Sequence, residues 1–314
     1  MTQPKPVYSL ADLQALATED PPLSPPARLA VIGHPVAHSR SPEMHNAALR
    51  AAGINAQYIR VDLTEEELPE ALNTFASLGF IGVNVTIPHK GAVIPLVHQV
   101  DPLAARIGSV NTIVFDHDRG QRLGFNSDAP GFRQAIREVF SVDLHDLRVL
   151  LLGAGGGAGR AAAIQCATDR CDRLVLVNRT FDKANALAEE LCSDFGPSRF
   201  AGPLARLEAI PWDTDALTKA LDHVDLIVNC TNLGMKLTDP PLLSPVQLQP
   251  HHLVYDMVYS PPRTRLIDSA EAAGARAANG LSMLVWQGAI AFEYWFNRQP
   301  DVFAMKSGLA APPH

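Results

Sequence analysis

Val149-Leu150-Leu151-Leu152-Gly153-Ala154-Gly155-Gly156-Gly157-Ala158-Gly159-Arg160 is the stretch on which the fold turns. An apolar run enters a glycine cluster, and a helix-forming segment leaves it. Between a strand and a helix, Gly153-Ala154-Gly155-x-x-Ala158 fits the dinucleotide-binding fingerprint. Gly153 permits the tight turn, Gly155 lets the backbone approach a pyrophosphate, and small Ala158 lets helix and strand pack closely. The helix N-terminus, with Gly156 and Gly157, then offers N–H groups to the phosphates. The competing reading is a glycine-rich turn with a structural role only.

The flanking sequence alternates in the same way. Downstream, strands are predicted over residues 148–153, 173–178, 225–229 and 253–258, with a short one near 275–278. Helices are predicted from Ala158, over 182–191 and over 264–273. Upstream, strands over 29–33, 57–63, 82–87 and 110–117 alternate with helices over 42–52 and 65–78. This rhythm predicts an α/β protein with mainly parallel sheets. Gly124-Phe125-Asn126-Ser127-Asp128-Ala129-Pro130-Gly131 is all turn chemistry and marks a domain boundary. The segment 281–296 is apolar on more than one face, so it should be sandwiched and return to the first domain. Residues 1–27 read as a short helix near 9–17 and a tether with Pro21, Pro22, Pro25 and Pro26.

The second predicted strand of the glycine-loop half selects the cofactor. NAD sites usually place Asp or Glu at its tip. Here Asn178-Arg179-Thr180 stands there, with Lys183 beyond. Arg179 can stack on adenine or pair with a 2′-phosphate, which favours NADP over NAD. Asp182 weakens that preference, and surface cations at a helix start are the plainer alternative.

In the other half, Asn84 and Thr86 alternate with Val83, Val85 and Ile87, and so share one face of a strand. Parallel strands are usually apolar on both faces, so the polar pair needs a reason. Lys90 follows at the strand's carboxyl end, where ligands bind in open α/β sheets. Ser41 and Pro42 suit an N-cap and first helical position. Ser39 has no such job, and two hydroxyls beside a helix N-terminus make a site for a small carboxylate. Lys90 and Asp128 would form an acid–base pair, with Asn111 nearby at a strand exit. His34, His38, His45 and His89 match no zinc spacing, so no metal is expected.

At 314 residues the chain accommodates two domains, and 47% hydrophobic with 19% charged residues is ordinary for a globular protein. A net charge of −7 argues against a nucleic-acid surface. No apolar run reaches the ~20 residues of a membrane span, and no signal peptide is read. Four cysteines without framework spacing read as buried free thiols in a reducing cytosol, hence a cytoplasmic protein.

Taken together and in order, these motifs resemble the shikimate dehydrogenase family, including its quinate/shikimate branch. The likeness runs from about Leu29 to Trp295. It includes His38-Ser39-Arg40-Ser41-Pro42, residues 84–90, Gly108-Ser109-Val110-Asn111-Thr112, the boundary turn and the Gly153 loop. Further blocks are Asn178-Arg179-Thr180, Asn229-Cys230-Thr231, Tyr255-Asp256-Met257-Val258-Tyr259, and Asn279-Gly280-Leu281-Ser282-Met283 leading to Gln287. The resemblance implies a substrate domain of residues 1–127 plus 281–314, a Rossmann-type NAD(P) domain of 128–280, and a cleft between them. It implies NADP-linked interconversion of 3-dehydroshikimate and shikimate on the route to chorismate and the aromatic amino acids. It assigns Ser39 and Ser41 to the substrate carboxylate, with Tyr259 beside it. Asn84, Thr86, Asn111, Asp128 and Gln287 take the hydroxyls, and Lys90 with Asp128 forms the catalytic pair. Thr231, Met257 and Gly280 adjoin the nicotinamide. The expected partner is a small molecule, with neither nucleic acid nor membrane, on a monomer or homodimer. Ser127 stands where the family usually has Thr, and Lys183 where many members have Arg. Lys183 keeps the charge but loses the bidentate fork, so NAD use is the alternative.

Overall fold

The structure is a computed structural model and describes residues 5–18, 22–196, 205–236 and 238–310. Of the proline tether, Pro21 lies outside the described residues. The chain divides into two compact units, residues 1–127 with 287–314, and residues 128–286.

In the first unit α1 (Leu10–Ala15), β1 (Ala27–Gly33), α2 (Ser41–Ala51), β2 (Gln57–Asp62), α3 (Leu68–Ser77) and β3 (Gly82–Val85) follow one another. Then come β4 (Gln99–Val100), α4 (Pro102–Ile107), β5 (Thr112–Asp116) and β6 (Gln121–Phe125). Among the described residues they form one six-stranded sheet in the order β2-β1-β3-β5-β6-β4. β1 pairs in parallel with β2 and β3, whereas β3–β5 and β5–β6 are antiparallel, so the sheet is mixed. Local chemistry sets the ends. Asp101 caps α4 by accepting from Leu103 N at 2.9 Å, and Gly108, at φ 68°, stops it in the left-handed region. Ile32, Val61, Leu72, Phe75 and Val83 meet in the core under the sheet.

The second unit runs α5 (Asp128–Phe140), β7 (Arg148–Leu152), α6 (Gly157–Thr168), β8 (Arg173–Val177), α7 (Phe181–Leu191) and β9 (Leu207–Ile210). It continues with α8 (Thr214–Leu221), β10 (Leu226–Asn229), β11 (Leu253–Asp256), α9 (Arg265–Ala272), β12 (Arg276–Asn279) and the start of α10 (Leu281–Phe296). Its six strands are all parallel, in the order β12-β11-β10-β7-β8-β9. This is the doubly wound Rossmann order, with the switch between β7 and β10. β8, β10 and β11 are buried throughout, as a parallel sheet covered on both faces requires.

The rest of α10 and α11 (Val302–Ala310) belong to the first unit. Trp295 of α10 donates from Nε1 to the Ile113 carbonyl at 3.1 Å. A Cβ on Gly82 would lie 2.1 Å from that nitrogen, so only glycine admits the indole.

Three expectations need correction. The strand expected over 82–87 ends at Val85: Thr86 N still donates to Ile32 O at 2.9 Å, but Ile87 and Pro88 already belong to the turn that leads to Lys90. The boundary segment 124–131 is not all turn: β6 runs to Phe125 and α5 opens at Asp128. Pro130 sits in the first turn of α5, where backbone N–H groups have no intrahelical partner to lose. Cys166 and Cys171 are buried, but Cys192 is exposed in the turn that follows α7.

Candidate active site

The first unit gathers its polar residues at the carboxyl ends of β1 and β3. Ser41 is buried and is the first residue of α2, whose N-cap is Arg40 without a side-chain cap bond. The expected capping role of Ser41 is therefore not observed. Ser39, expected to have no structural job, accepts from Ser41 N through its Oγ at 3.4 Å. Asn84 is buried in β3. Its Oδ1 accepts from the Tyr58 hydroxyl at 2.8 Å, and its Nδ2 donates to Asn111 O at 3.2 Å and Thr112 Oγ1 at 3.1 Å.

Asn111 is equally enclosed. Its Oδ1 accepts from Ser127 N at 2.8 Å, and its Nδ2 donates to Ser127 Oγ at 3.0 Å. A serine at position 127 thus keeps the hydroxyl that fixes Asn111. Thr86 is half-buried past the strand end, and its N donates to Ile32 O at 2.9 Å. Gly33 makes room for it, since a Cβ there would meet Thr86 Cγ2 at 2.5 Å. Lys90 is half-buried in the following turn, which is tied down by Val110 N donating to Lys90 O at 2.9 Å. His89 beside it is buried, with Nε2 2.7 Å from Leu63 O. Gln287 is half-buried on α10.

His45 lies fully buried in α2, stacked on the Tyr58 ring at 4.5 Å between centroids. Burial holds its imidazole down to a pKa of about 3, so it is neutral in the fold.

In the second unit a cavity of about 700 Å3 opens beyond the carboxyl ends of β7, β8, β9 and β10. Gly153, Gly155, Gly156, Asn178, Arg179, Thr180, Lys183 and Thr231 line it, all expected from the sequence. Trp212, Cys230, Asn232, Leu233 and the run Pro240-Pro241-Leu242 line it too and were not expected. No carboxylate lines it among the described residues.

The glycine turn has the predicted logic with one change. Gly153 stands at φ 95°, and its N donates to Val177 O at 2.8 Å. A Cβ on Gly155 would press to 2.9 Å from Lys183 Cβ and 3.0 Å from the Asn178 side chain. The close helix–strand approach falls on Gly159 rather than Ala158: a Cβ there would come within 2.2 Å of Gly153 O. Ala158 is one residue too early on α6 and is half-exposed. Gly157 and Ala158 open α6, which begins after the N-cap Gly156 without a side-chain cap bond.

Behind the cavity, Asn229 and Asp256 organise the loops after β10 and β11. Asn229 Oδ1 accepts from Thr231 N and Oγ1, at 2.9 and 2.7 Å, and Nδ2 donates to Asp256 Oδ1 at 2.8 Å. Asp256 also accepts from Val258 N and Thr264 Oγ1, at 3.0 and 2.6 Å. Burial pushes its carboxyl up, and these donors pull it back. Met257 and Gly280 touch: a Cβ on Gly280 would meet Met257 O at 2.1 Å. Tyr259 is half-buried just beyond, and Asp128 is buried at the start of α5.

Family models match in three consecutive blocks. The shikimate dehydrogenase substrate-binding domain matches residues 31–113, the shikimate/quinate 5-dehydrogenase domain residues 134–240, and the shikimate 5′-dehydrogenase C-terminal domain residues 280–307. A curated NADP+ shikimate dehydrogenase of Methanopyrus kandleri is 43% identical over 283 residues, 90% of this chain and 94% of the relative.

The chain belongs to the shikimate dehydrogenase family.

A second curated member, from Symbiobacterium thermophilum, is 43% identical over 286 residues, 90% of this chain and 93% of its own. The crystal structure of the Thermus thermophilus shikimate 5-dehydrogenase with NADP(H) and shikimate matches at a TM-score of 0.78 and 37% identity. It covers 90% of this chain and 98% of that one. Among the described residues no helix is long and apolar enough to cross a membrane. Nor, among the described residues, is any cluster of three His, Cys, Asp or Glu placed to hold a metal ion.

Proposed function

We propose that this chain is an NADP-linked shikimate dehydrogenase, an oxidoreductase that acts on a CH–OH group and interconverts 3-dehydroshikimate and shikimate. Likeness to NADP+ shikimate dehydrogenases over 90% of the chain carries this reading. The cavity beyond β7, β8, β9 and β10 suits the cofactor: the uncapped N-terminus of α6 can take phosphate, and Arg179 and Lys183 supply charge for a 2′-phosphate where, among the described residues, no carboxylate lines the cavity.

Bound NADP(H) supplies or takes up the hydride. The residues of the chain do the rest. Ser39 and Ser41 hold the substrate carboxylate. Asn84, Thr86, Asn111 and Gln287 orient its hydroxyls, with Tyr259 beside the carboxylate. Lys90 passes a proton to or from the reacting oxygen, and Asp128 holds the lysine's charge and position. Thr231, Met257 and Gly280 shape the nicotinamide end. This assigns residues 1–127 and the returning C-terminal segment to the substrate, and 128–280 to the cofactor. A place in chorismate and aromatic amino acid biosynthesis follows from the reaction, and the expected setting is the cytoplasm, as a monomer or homodimer.

Incubation with 3-dehydroshikimate and NADPH, with products separated and identified by mass, tests the reading. Shikimate is the expected product, and its absence from folded protein overturns the reading.

A further inference from the structure

Strand β2 carries Tyr58, Arg60 and Asp62 at alternate positions, so their side chains share one face. Each grips a different part of the segment 34–43, which bears Ser39 and Ser41. The Tyr58 hydroxyl donates to Asn84 Oδ1 at 2.8 Å, and the Ser41 side chain stands beside the same phenol, where it favours the ionised form. Arg60 Nε donates to the Ser39 carbonyl at 2.8 Å, while its guanidinium pairs with Glu43 at 2.5 Å. Asp62 accepts from Val36 N at 3.0 Å with one oxygen and meets His34 Nδ1 at 2.6 Å with the other.

The strand that carries these residues is itself braced on both sides. It pairs with β1 over six positions. On its outer edge Tyr8 N donates to Arg60 O at 2.9 Å, and Asp62 N donates to Tyr8 O at 2.8 Å. Tyr8 is buried and lies upstream of the segment that matches the family's substrate-binding domain. On α2 the Asn46 side chain accepts from Tyr58 N at 2.7 Å and donates to Tyr58 O at 3.0 Å.

Two neutral hydroxyls hold a carboxylate through directional hydrogen bonds. Recognition then depends on where the hydroxyls stand, to a fraction of an ångström. A surface ion pair would add little, but the Arg60–Glu43 pair is only 16% and 14% exposed, and Arg60 also bonds the backbone of Ser39 itself.

We infer that Tyr58, Arg60 and Asp62 are positioning residues that set Ser39 and Ser41 for the substrate carboxylate. This rests on reading those two serines as carboxylate ligands.

The test compares shikimate with its methyl ester, in the intact protein with NADP, for wild type, Arg60→Met, Arg60→Lys and Asp62→Asn. Wild type should prefer the acid. Arg60→Met should raise KM for shikimate about tenfold or more, the scale of a lost charge-assisted bond, with KM for NADP within about twofold. Its preference for acid over ester should shrink by the same factor. Asp62→Asn should do likewise to a smaller degree, and Arg60→Lys should recover part of the loss. An undiminished acid preference in Arg60→Met and Asp62→Asn overturns the inference, whatever their melting temperatures. Should Arg60→Met fail to fold, Tyr58→Phe, which removes one oxygen, is read by the same ratio. A wild-type protein that does not distinguish acid from ester overturns the serine reading itself, which separates that failure from failure of the inference.

Discussion

Gly159 approaches Gly153 so closely that a Cβ on Gly159 would lie 2.2 Å from the Gly153 carbonyl oxygen. The first turn of α6 is thereby laid against the end of β7, where the cofactor's phosphates are proposed to bind. Gly159→Ala should therefore cost about 1–3 kcal/mol of stability through overpacking and weaken NADP binding. Gly157 has nothing within 4 Å of its would-be Cβ, so Gly157→Ala should leave stability within about 1 kcal/mol. Urea unfolding of the two variants checks the contrast. Equal losses would remove the packing argument.

Lys90 is proposed to move the proton. Lys90→Ala should lower kcat by about 10²–10⁴ while the protein folds and binds NADP as before. Initial rates alongside a cofactor titration decide this, and a variant within tenfold of wild type would exclude the role.

Arg179 and Lys183 line the cavity, and among the described residues no carboxylate lines it with them. Replacing both by alanine should raise KM for NADP about tenfold or more and leave KM for NAD nearly unchanged, because only NADP carries the 2′-phosphate. An equal rise for both cofactors would assign the cations to a part the two share.

His45 links stability to pH. Its folded pKa is about 3, against 6.5 for the free group. Above pH 6.5 neither state binds the proton and the site contributes nothing. As pH falls from 6.5 towards 3, only the unfolded chain takes it up. The fold is then destabilised by up to about 1.4 kcal/mol per pH unit from this residue. His45→Asn removes that dependence. Denaturant unfolding at pH 7.5 and 5.5 should show wild type losing more stability than the variant. Parallel losses would place the acid sensitivity elsewhere.

Alternation of apolar runs with glycine-stopped helices made both α/β halves legible, because each parallel strand is a short buried run ending in a turn. The segment 124–131 was misread because Asp, Pro and Gly carry turn chemistry, yet the first turn of a helix accepts all three. Strand β9, four residues long and partly exposed throughout, offers little pattern to read. The polar residues of the site could be named from motifs, but not how they are held. That Asn84 and Asn111 spend their amides on Thr112 and Ser127, or that Asn229 binds Asp256, depends on pairing between distant strands. The Gly159 correction is of the same kind, since the fingerprint gives spacing but not which Cβ position meets a carbonyl.

The most direct test of the central claim is the initial rate with shikimate and quinate, each paired with NADP and NAD. The specificity constant should be highest for shikimate with NADP. Turnover chiefly with quinate or NAD, or none from folded protein, would contradict it.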